Sequence, residues 1–185
     1  MYATLKGTIT MIKPSYVVLE NQGVGFLMMT PNPYAYHVGD EIMMHTHHYV
    51  REDLSVLYGF STLEHKELFL KLLNVSGIGP KSALSILAAD SITEVLMAIE
   101  DGDVKKLTKF PGIGMKSAQQ IILDLKGKLL DISSDSTVKV TANDAVDALV
   151  ALGYNKTEIN KALKTCDLEQ PVEKIIKQAL AKLLK

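Results

Sequence analysis

The chain has 185 residues, of which 47% are hydrophobic, and its formal net charge at pH 7 is −1. This charge balance excludes a broad polybasic surface. No apolar run reaches about 18 residues, which excludes a membrane span. The single cysteine, Cys166, excludes an internal disulfide framework. The N-terminus lacks the pattern of a signal peptide. Together these features predict a cytoplasmic protein made of one large domain or two to three small ones.

Residues 1–63 are predicted to form an all-β domain. Short runs rich in Val, Ile, Thr, Tyr and Met alternate with turn residues, which is the pattern of strands. The predicted strands are Leu5–Ile12, Tyr16–Glu20, Val24–Met29, Glu41–Val50 and Ser55–Phe60. Five strands in about 60 residues fit a small closed barrel of the OB-like kind better than a sandwich, which usually needs about seven.

Three histidines in the fourth predicted strand raise the question of a metal site. Strand alternation places His45 and His47 on one face and His48 on the other. Because no cysteine or third ligand lies near them in the sequence, we predict a structural or surface role for these rings and no metal site.

Two adjacent carboxylates, Glu52 and Asp53, lie between the fourth and fifth predicted strands and so at the tip of a hairpin. Such a pair usually marks only a solvated turn. Beside a DNA-binding element it gains a second interpretation, because carboxylates repel phosphates and can keep two strands apart.

Residues 64–130 are predicted to form an all-α domain. The predicted helices are Glu64–Leu73, Pro80–Ala88, Ile92–Glu100, Val104–Lys109 and Met115–Leu130. Asp90-Ser91 and Asp103 stand where side-chain caps begin the third and fourth of them.

The sequence G-I-G-x-K-S-A occurs twice in this domain, at Gly77–Ala83 and, 35 residues later, at Gly112–Ala118. In each copy the first glycine can adopt a positive φ, and the second removes a Cβ where a phosphate would approach. The helix that follows presents free N–H groups and a partial positive charge to an anion.

The other residues of each copy support the same interpretation. Lys and Ser add a charge and a hydroxyl donor, and Ile points inward to fix the turn. We therefore predict two DNA-binding hairpins, the first made of Ser76, Gly77, Ile78, Gly79, Lys81 and Ser82 and the second of Gly112, Ile113, Gly114, Lys116 and Ser117. A tight helix–helix connection without a ligand is the alternative, whereas the spacing excludes a Walker-type phosphate loop.

The C-terminal part is predicted to be a separate helical domain. Residues 131–140 are rich in Ser, Thr and Asp and predict a flexible linker. Residues 141–185 predict three helices, with caps at Thr141 and Asn155 and with Pro171 in the first turn of the third.

The tandem G-I-G-x-K-S-A pattern resembles a helix-hairpin-helix pair, and the chain as a whole resembles the RuvA family. That resemblance rests on V-R-E-D-x-x-x-L-Y-G-F at Val50–Phe60, the two hairpins, and A-L-G-Y at Ala151–Tyr154, which occur in that order along the chain. RuvA proteins are the Holliday-junction-binding subunits of the bacterial RuvAB branch-migration complex.

The resemblance implies a function in recombination and DNA repair. It implies a homotetramer, or an octamer of paired tetramers, whose concave face holds four-way junction DNA through the barrel and the hairpins. Glu52 and Asp53 would form an acidic pin at the centre, and the C-terminal three-helix, UBA-like domain would bind the RuvB ATPase. The RuvC resolvase would join the same assembly, and the chain itself would carry no active site and no cofactor.

Two other functions stay open from the residues alone. A helix-hairpin-helix nuclease or glycosylase would need a carboxylate cluster or a catalytic Lys or Asp beyond the second hairpin, where Asp124 lies without an identified partner. A protein-interaction module would use the small C-terminal domain with its L-G-Y turn. The resemblance along the whole chain favours the junction-binding scaffold.

Overall fold

The computed structural model describes residues 1–89, 91–129, 142–167 and 170–183. These residues fall into two compact units, one before the 130–141 gap and one after it. The first unit contains a β-barrel followed by five helices, and the second contains three helices. The predicted linker, 131–140, lies outside the described residues, and the predicted domain limits stay predictions.

The barrel contains five strands, β1 (Thr4–Lys13), β2 (Tyr16–Asn21), β3 (Val24–Met29), β4 (Glu41–Arg51) and β5 (Leu54–Phe60). They close in the order β1-β2-β3-β5-β4, with β4 paired back to β1. The β3–β5 pair is parallel and the other pairs are antiparallel. The predicted closed five-stranded barrel is therefore confirmed, and its closure leaves no free sheet edge.

Alternate side chains of the strands fill the barrel. On β2, Val17 and Leu19 are fully buried, and they meet Ile9, Met28 and Met44 from other strands. At Gly7, on β1, the backbone of β2 comes so close that a Cβ would lie 2.1 Å from the carbonyl oxygen of Glu20. Only glycine allows the two backbones to approach in this way.

The helices of the first unit are α1 (Leu63–Leu73), α2 (Pro80–Leu87), α3 (Ile92–Glu100), α4 (Val104–Leu107) and α5 (Met115–Leu125). The predicted caps at Ser91 and Asp103 are confirmed, since their side chains accept hydrogen bonds from the backbone N–H groups of Glu94 and Lys106. Asp90 lies outside the described residues. Thr62 caps α1 in the same way, through the N–H of His65.

The predicted end of the last helix, at residue 130, is wrong. α5 ends at Leu125, because Lys126 leaves the helical region and Gly127 has φ +75°. The carboxylate of Glu100 on α3 accepts hydrogen bonds from the Gly127 N–H at 2.9 and 3.1 Å. This contact from another helix stabilises the turn.

An aromatic cluster joins the barrel to the helices. The ring centroid of Phe69, on α1, lies 4.9 Å from that of Phe60 and 5.0 Å from that of Tyr58, both on β5. His47, on β4, meets the edge of Phe69 at 6.0 Å. Burial, followed by the neighbouring positive charge of Lys66, lowers the pKa of His47, so this ring is a neutral packing partner at pH 7.

The second unit contains α6 (Ala142–Ala151), α7 (Lys156–Leu163) and α8 (Val172–Leu183). Its core includes Leu149, Ile159 and Ile175. The predicted cap at Asn155 is confirmed by a 2.7 Å hydrogen bond from the Thr157 N–H to its side-chain oxygen. The predicted cap at Thr141 lies outside the described residues.

In the part of the chain that the structure describes, no single helix has the length and apolar composition needed to cross a membrane. Only α2 and α3 counted together, which meet at 110°, reach such values. Both helices bury residues in the core of the first unit.

Candidate nucleic-acid interface

The first G-I-G turn, between α1 and α2, is anchored from its inner side. Val75 and Ile78 are only 2% and 6% exposed, and the N–H of Ile78 donates to the carbonyl of Val75 at 3.1 Å. Gly77, between them in sequence, has φ +81° and is exposed. The buried side chains therefore hold a turn whose glycines face solvent.

The second turn, between α4 and α5, has the same geometry. Gly112 has φ +80°, Ile113 is 5% exposed, and the N–H of Ile113 donates to the carbonyl of Phe110 at 3.1 Å. The two copies of the motif therefore fold alike, as their sequences predict.

The second glycine of each copy is the N-cap of the next helix. Gly79 (φ −99°, ψ 173°) and Gly114 (φ −87°, ψ 175°) have extended backbones that any residue can adopt. A Cβ at either position would meet no described atom within 4 Å. Neither conformation nor packing requires glycine there, and Ser, Asp or Asn would cap the helix better. The glycines instead leave open space at two helix N-termini, which is what an approaching ligand needs.

The charges around these N-termini are unusual. The first turns of α1 and α3 contain Glu64 and Glu94, which favour the positive end of the helix dipole. The first turns of α2 and α5 contain no acidic residue and carry the exposed Lys81 and Lys116 instead. Both N-termini therefore present uncompensated positive potential to an external anion.

The two hairpins contact each other through the serines of α2. The Ser85 Oγ lies 2.8 Å from the Pro111 carbonyl oxygen, and the Ser82 Oγ lies 3.4 Å from that of Gly112. A Cβ on Gly112 would lie 2.9 Å from the Ser82 Oγ, whereas one on Gly77 would meet nothing within 4 Å. Sequence reasoning missed Ser85, although its position one helical turn after Ser82 places both on one face.

Glu52 and Asp53 form the exposed two-residue turn between β4 and β5, where the sequence places them. Arg51 turns away from them, because its Nε donates to the Tyr49 Oη and its guanidinium lies 5.2 Å from the Tyr49 ring centroid. Neither carboxylate takes part in a salt bridge within the described residues. The turn therefore projects two negative charges into solvent.

Asp124, the residue considered for an enzymatic site, lies half-buried on α5 and accepts a 2.9 Å hydrogen bond from Gln120 of the same helix. No group of three His, Cys, Asp or Glu side chains in the described ranges is placed to hold a metal ion.

The second unit exposes two apolar side chains at the end of α6. Leu152 is 61% exposed and Val150 is 37% exposed. Gly153, with φ +95°, turns the chain so that the Tyr154 N–H donates to the Leu149 carbonyl at 3.1 Å. The L-G-Y turn thus projects Leu152 outward while Tyr154 packs against the core.

Three family models match the chain. The model described as RuvA N terminal domain matches residues 1–59, that of a SAM-like Helix-hairpin-helix tandem matches residues 69–128, and that of RuvA, C-terminal domain matches residues 141–184. Together they cover most of both described units.

Curated relatives match over the full length. The chain is 54% identical to a protein of Acholeplasma laidlawii, 47% identical to one of Lactobacillus johnsonii and 44% identical to one of Bacillus velezensis, with all of both chains covered in each case. Each of these proteins is named as Holliday junction branch migration complex subunit RuvA.

The two G-I-G turns should respond unequally to the same substitution. Gly77→Ala and Gly112→Ala each force a left-handed backbone, at a cost of about 1–2 kcal/mol. Gly112→Ala also presses on the Ser82 Oγ, so we expect it to lower the free energy of unfolding by about 1 kcal/mol more. Urea denaturation followed by circular dichroism measures both values. Adding Ser82→Ala should remove the excess, and equal losses in the two single variants would contradict the contact.

Proposed function

The chain belongs to the RuvA family, and we propose that it holds an open four-way DNA junction and couples it to the RuvB ATPase during branch migration. The observation that carries this proposal is the pair of G-I-G turns, in which open glycine N-caps and lysines replace the acidic residues usual at a helix N-terminus. Two such helix N-termini on one unit are suited to contact two phosphates along a sugar–phosphate backbone.

The proposed contacts are made mainly by the backbone. The N–H groups at the starts of α2 and α5 would donate to phosphate oxygens, with Gly77, Gly79, Gly112 and Gly114 allowing close approach. Lys81 and Lys116 add charge, Ser76 and Ser117 add donors, and the buried Ile78 and Ile113 hold the turns. The Ser82 hydroxyl differs from its counterpart, because it already lies near Gly112.

Such a grip suits branch migration. Contacts to phosphates position a duplex without reading its bases, and migration replaces each base pair by an equivalent one, so the net free energy of a step is near zero. A holder must therefore treat all sequences alike. The near-neutral chain, with a net charge of −1, keeps the attraction local to the hairpins.

Glu52 and Asp53 are proposed to act as an acidic pin. The exposed turn would face the junction centre, where its carboxylates repel the phosphates of strands that separate from one arm and enter the next. A pin of this kind contributes repulsion, not affinity.

The pin requires four copies around one junction, so we propose a homotetramer, alone or paired as an octamer. Light scattering should give a mass of four or eight chains, and a monomer at working concentration would contradict the proposal. That RuvC joins the same assembly stays a prediction.

We also propose that the chain contributes binding and no bond cleavage. A labelled junction incubated with the protein and Mg²⁺ should keep all four strands intact, and specific nicks would support the nuclease alternative.

Junction binding tests the proposed contacts between the two hairpins and the DNA backbone. Gel shifts should show tighter binding to a four-way junction than to linear duplex of equal length. Gly79→Val and Gly114→Val should each weaken junction binding at least tenfold, the effect of losing about 1.4 kcal/mol of charge-assisted hydrogen bonding.

The circular dichroism spectrum is the internal control for the two valine variants. Because a Cβ at either glycine meets no described atom within 4 Å, both variants should keep the circular dichroism spectrum of the parent protein. Lys116→Ala should also weaken binding but flatten its salt dependence, since a charged contact is lost. Equal affinity for junction and duplex, or full affinity in the valine variants, would contradict the proposal.

Neutralising the acidic pin should not weaken junction binding, in contrast to the substitutions in the hairpins. Glu52→Gln with Asp53→Asn removes two charges and keeps the shape of the turn, so junction affinity should stay equal or rise. Strand opening at the centre, measured by 2-aminopurine fluorescence at the crossover, should fall. A loss of affinity would show that these carboxylates support the fold or bind DNA by another route.

We propose that Leu152 and Val150 form the surface that contacts RuvB. Leu152→Ser should keep junction binding and reduce the stimulation of RuvB ATPase activity by the protein–junction complex. Lys174→Ser, an exposed change on α8, serves as the control. Full stimulation by Leu152→Ser would rule out this surface.

A further inference from the structure

Ser85 belongs to the helix of the first hairpin but reaches the turn of the second. Its Oγ lies 2.8 Å from the carbonyl oxygen of Pro111 and 2.8 Å from that of Ser82. The two carbonyl oxygens share the single proton of this hydroxyl, which thereby links α2 to the second turn, 26 residues away in the chain. Ser82 adds a weaker contact, with its Oγ 3.4 Å from the Gly112 carbonyl oxygen.

These contacts set the direction of one backbone N–H group in the second turn. Pro111 O and Gly112 N belong to the same trans peptide, in which the C=O and the N–H point to opposite sides. A hydroxyl that holds the Pro111 carbonyl toward α2 therefore directs the Gly112 N–H away from α2. Because Gly112 has no Cβ and φ +80°, its peptide has more rotational freedom than that of other residues, and an outside restraint matters more there.

Among the residues that the structure describes, none restrains the first turn in an equivalent way. Gln120 occupies the repeat position that corresponds to Ser85, and its side chain donates to Asp124 on its own helix at 2.9 Å. A Cβ on Gly77 would meet nothing within 4 Å, whereas one on Gly112 would meet the Ser82 Oγ at 2.9 Å. The support between the hairpins therefore runs in one direction, from the first to the second.

We propose that Ser85 is a positioning residue for DNA binding, which holds the second hairpin so that its Gly112 N–H and the N-terminus of α5 face the phosphate. This inference rests on the proposed function, because it assumes that the second hairpin binds DNA. It assigns Ser85 no contact with DNA, and it makes the strength of the second grip depend on the helix of the first.

A double-mutant cycle on the full chain tests this inference. Equilibrium binding to a synthetic immobile four-way junction is measured for Ser85→Ala in the parent protein, in Gly114→Val and in Gly79→Val. We expect Ser85→Ala to weaken binding about 3- to 10-fold, the range for one hydrogen bond. The same loss should appear in Gly79→Val and vanish in Gly114→Val, since the second hairpin is then already disabled.

Hydroxyl-radical footprinting supplies the second readout. Gly114→Val identifies the backbone positions protected by the second hairpin, and Ser85→Ala should lose protection at those positions alone. Ser85→Thr keeps the hydroxyl and should restore affinity to within about twofold of the parent. Gln120→Ala, at the matching repeat position, should bind as the parent protein does.

The outcomes separate the two proposals. Unchanged affinity in Ser85→Ala, an equal loss in the Gly114→Val background, or a uniform weakening of the footprint would overturn the positioning role and leave the proposed function standing. Full junction affinity in Gly114→Val would overturn both, because the second hairpin would then hold no DNA.

Discussion

The packing of Phe69 between Phe60 and Tyr58 is the contact on which the arrangement of the first unit depends. It lies at one end of the β4–β5 hairpin, whose other end carries the acidic turn, and on the helix that leads to the first G-I-G turn. Each ring buries a large apolar area, and aromatic pairs at such distances add further stabilisation. The acidic turn and the first G-I-G turn are therefore positioned by one continuous core, which fixes the distance between them.

The proposed DNA binding depends on the placement of a few groups and not on the overall charge of the chain. The chain has a net charge of −1 and lacks an overall positive field, so the proposed binding relies on the positive ends of two helices that are left open to phosphates. The α2 and α5 N-termini achieve this because Gly79 and Gly114 leave their approach clear and no carboxylate neutralises their first turns. Hydrogen bonds to phosphate weaken steeply with distance and angle, so small displacements of a turn would change the affinity of the proposed contacts.

Much of this arrangement was predictable from the sequence, because the signals are local. Alternating apolar residues predicted the barrel, and the repeated motif predicted two turns held by Ile78 and Ile113. The end of α5 was not predictable, since it depends on Glu100 from another helix. The contact of Ser85 with Pro111 was equally hidden, because two copies of one motif predict equivalent neighbours and only the tertiary structure shows which copy supports the other.

The support of the second hairpin by the helix of the first affects how a repeated motif can hold a duplex. One phosphate contact leaves the backbone free to rotate about it, whereas two contacts a fixed distance apart also define its direction. Because the hairpins share the core around Ile78 and Ile113 and also meet through the serines of α2, side-chain contacts restrain their separation despite the flexibility of the glycines. In the proposed binding mode, the duplex slides by whole base pairs without being read, and a fixed spacing between two sequence-independent contacts is then the property that matters. The serines of α2 would contribute to that spacing.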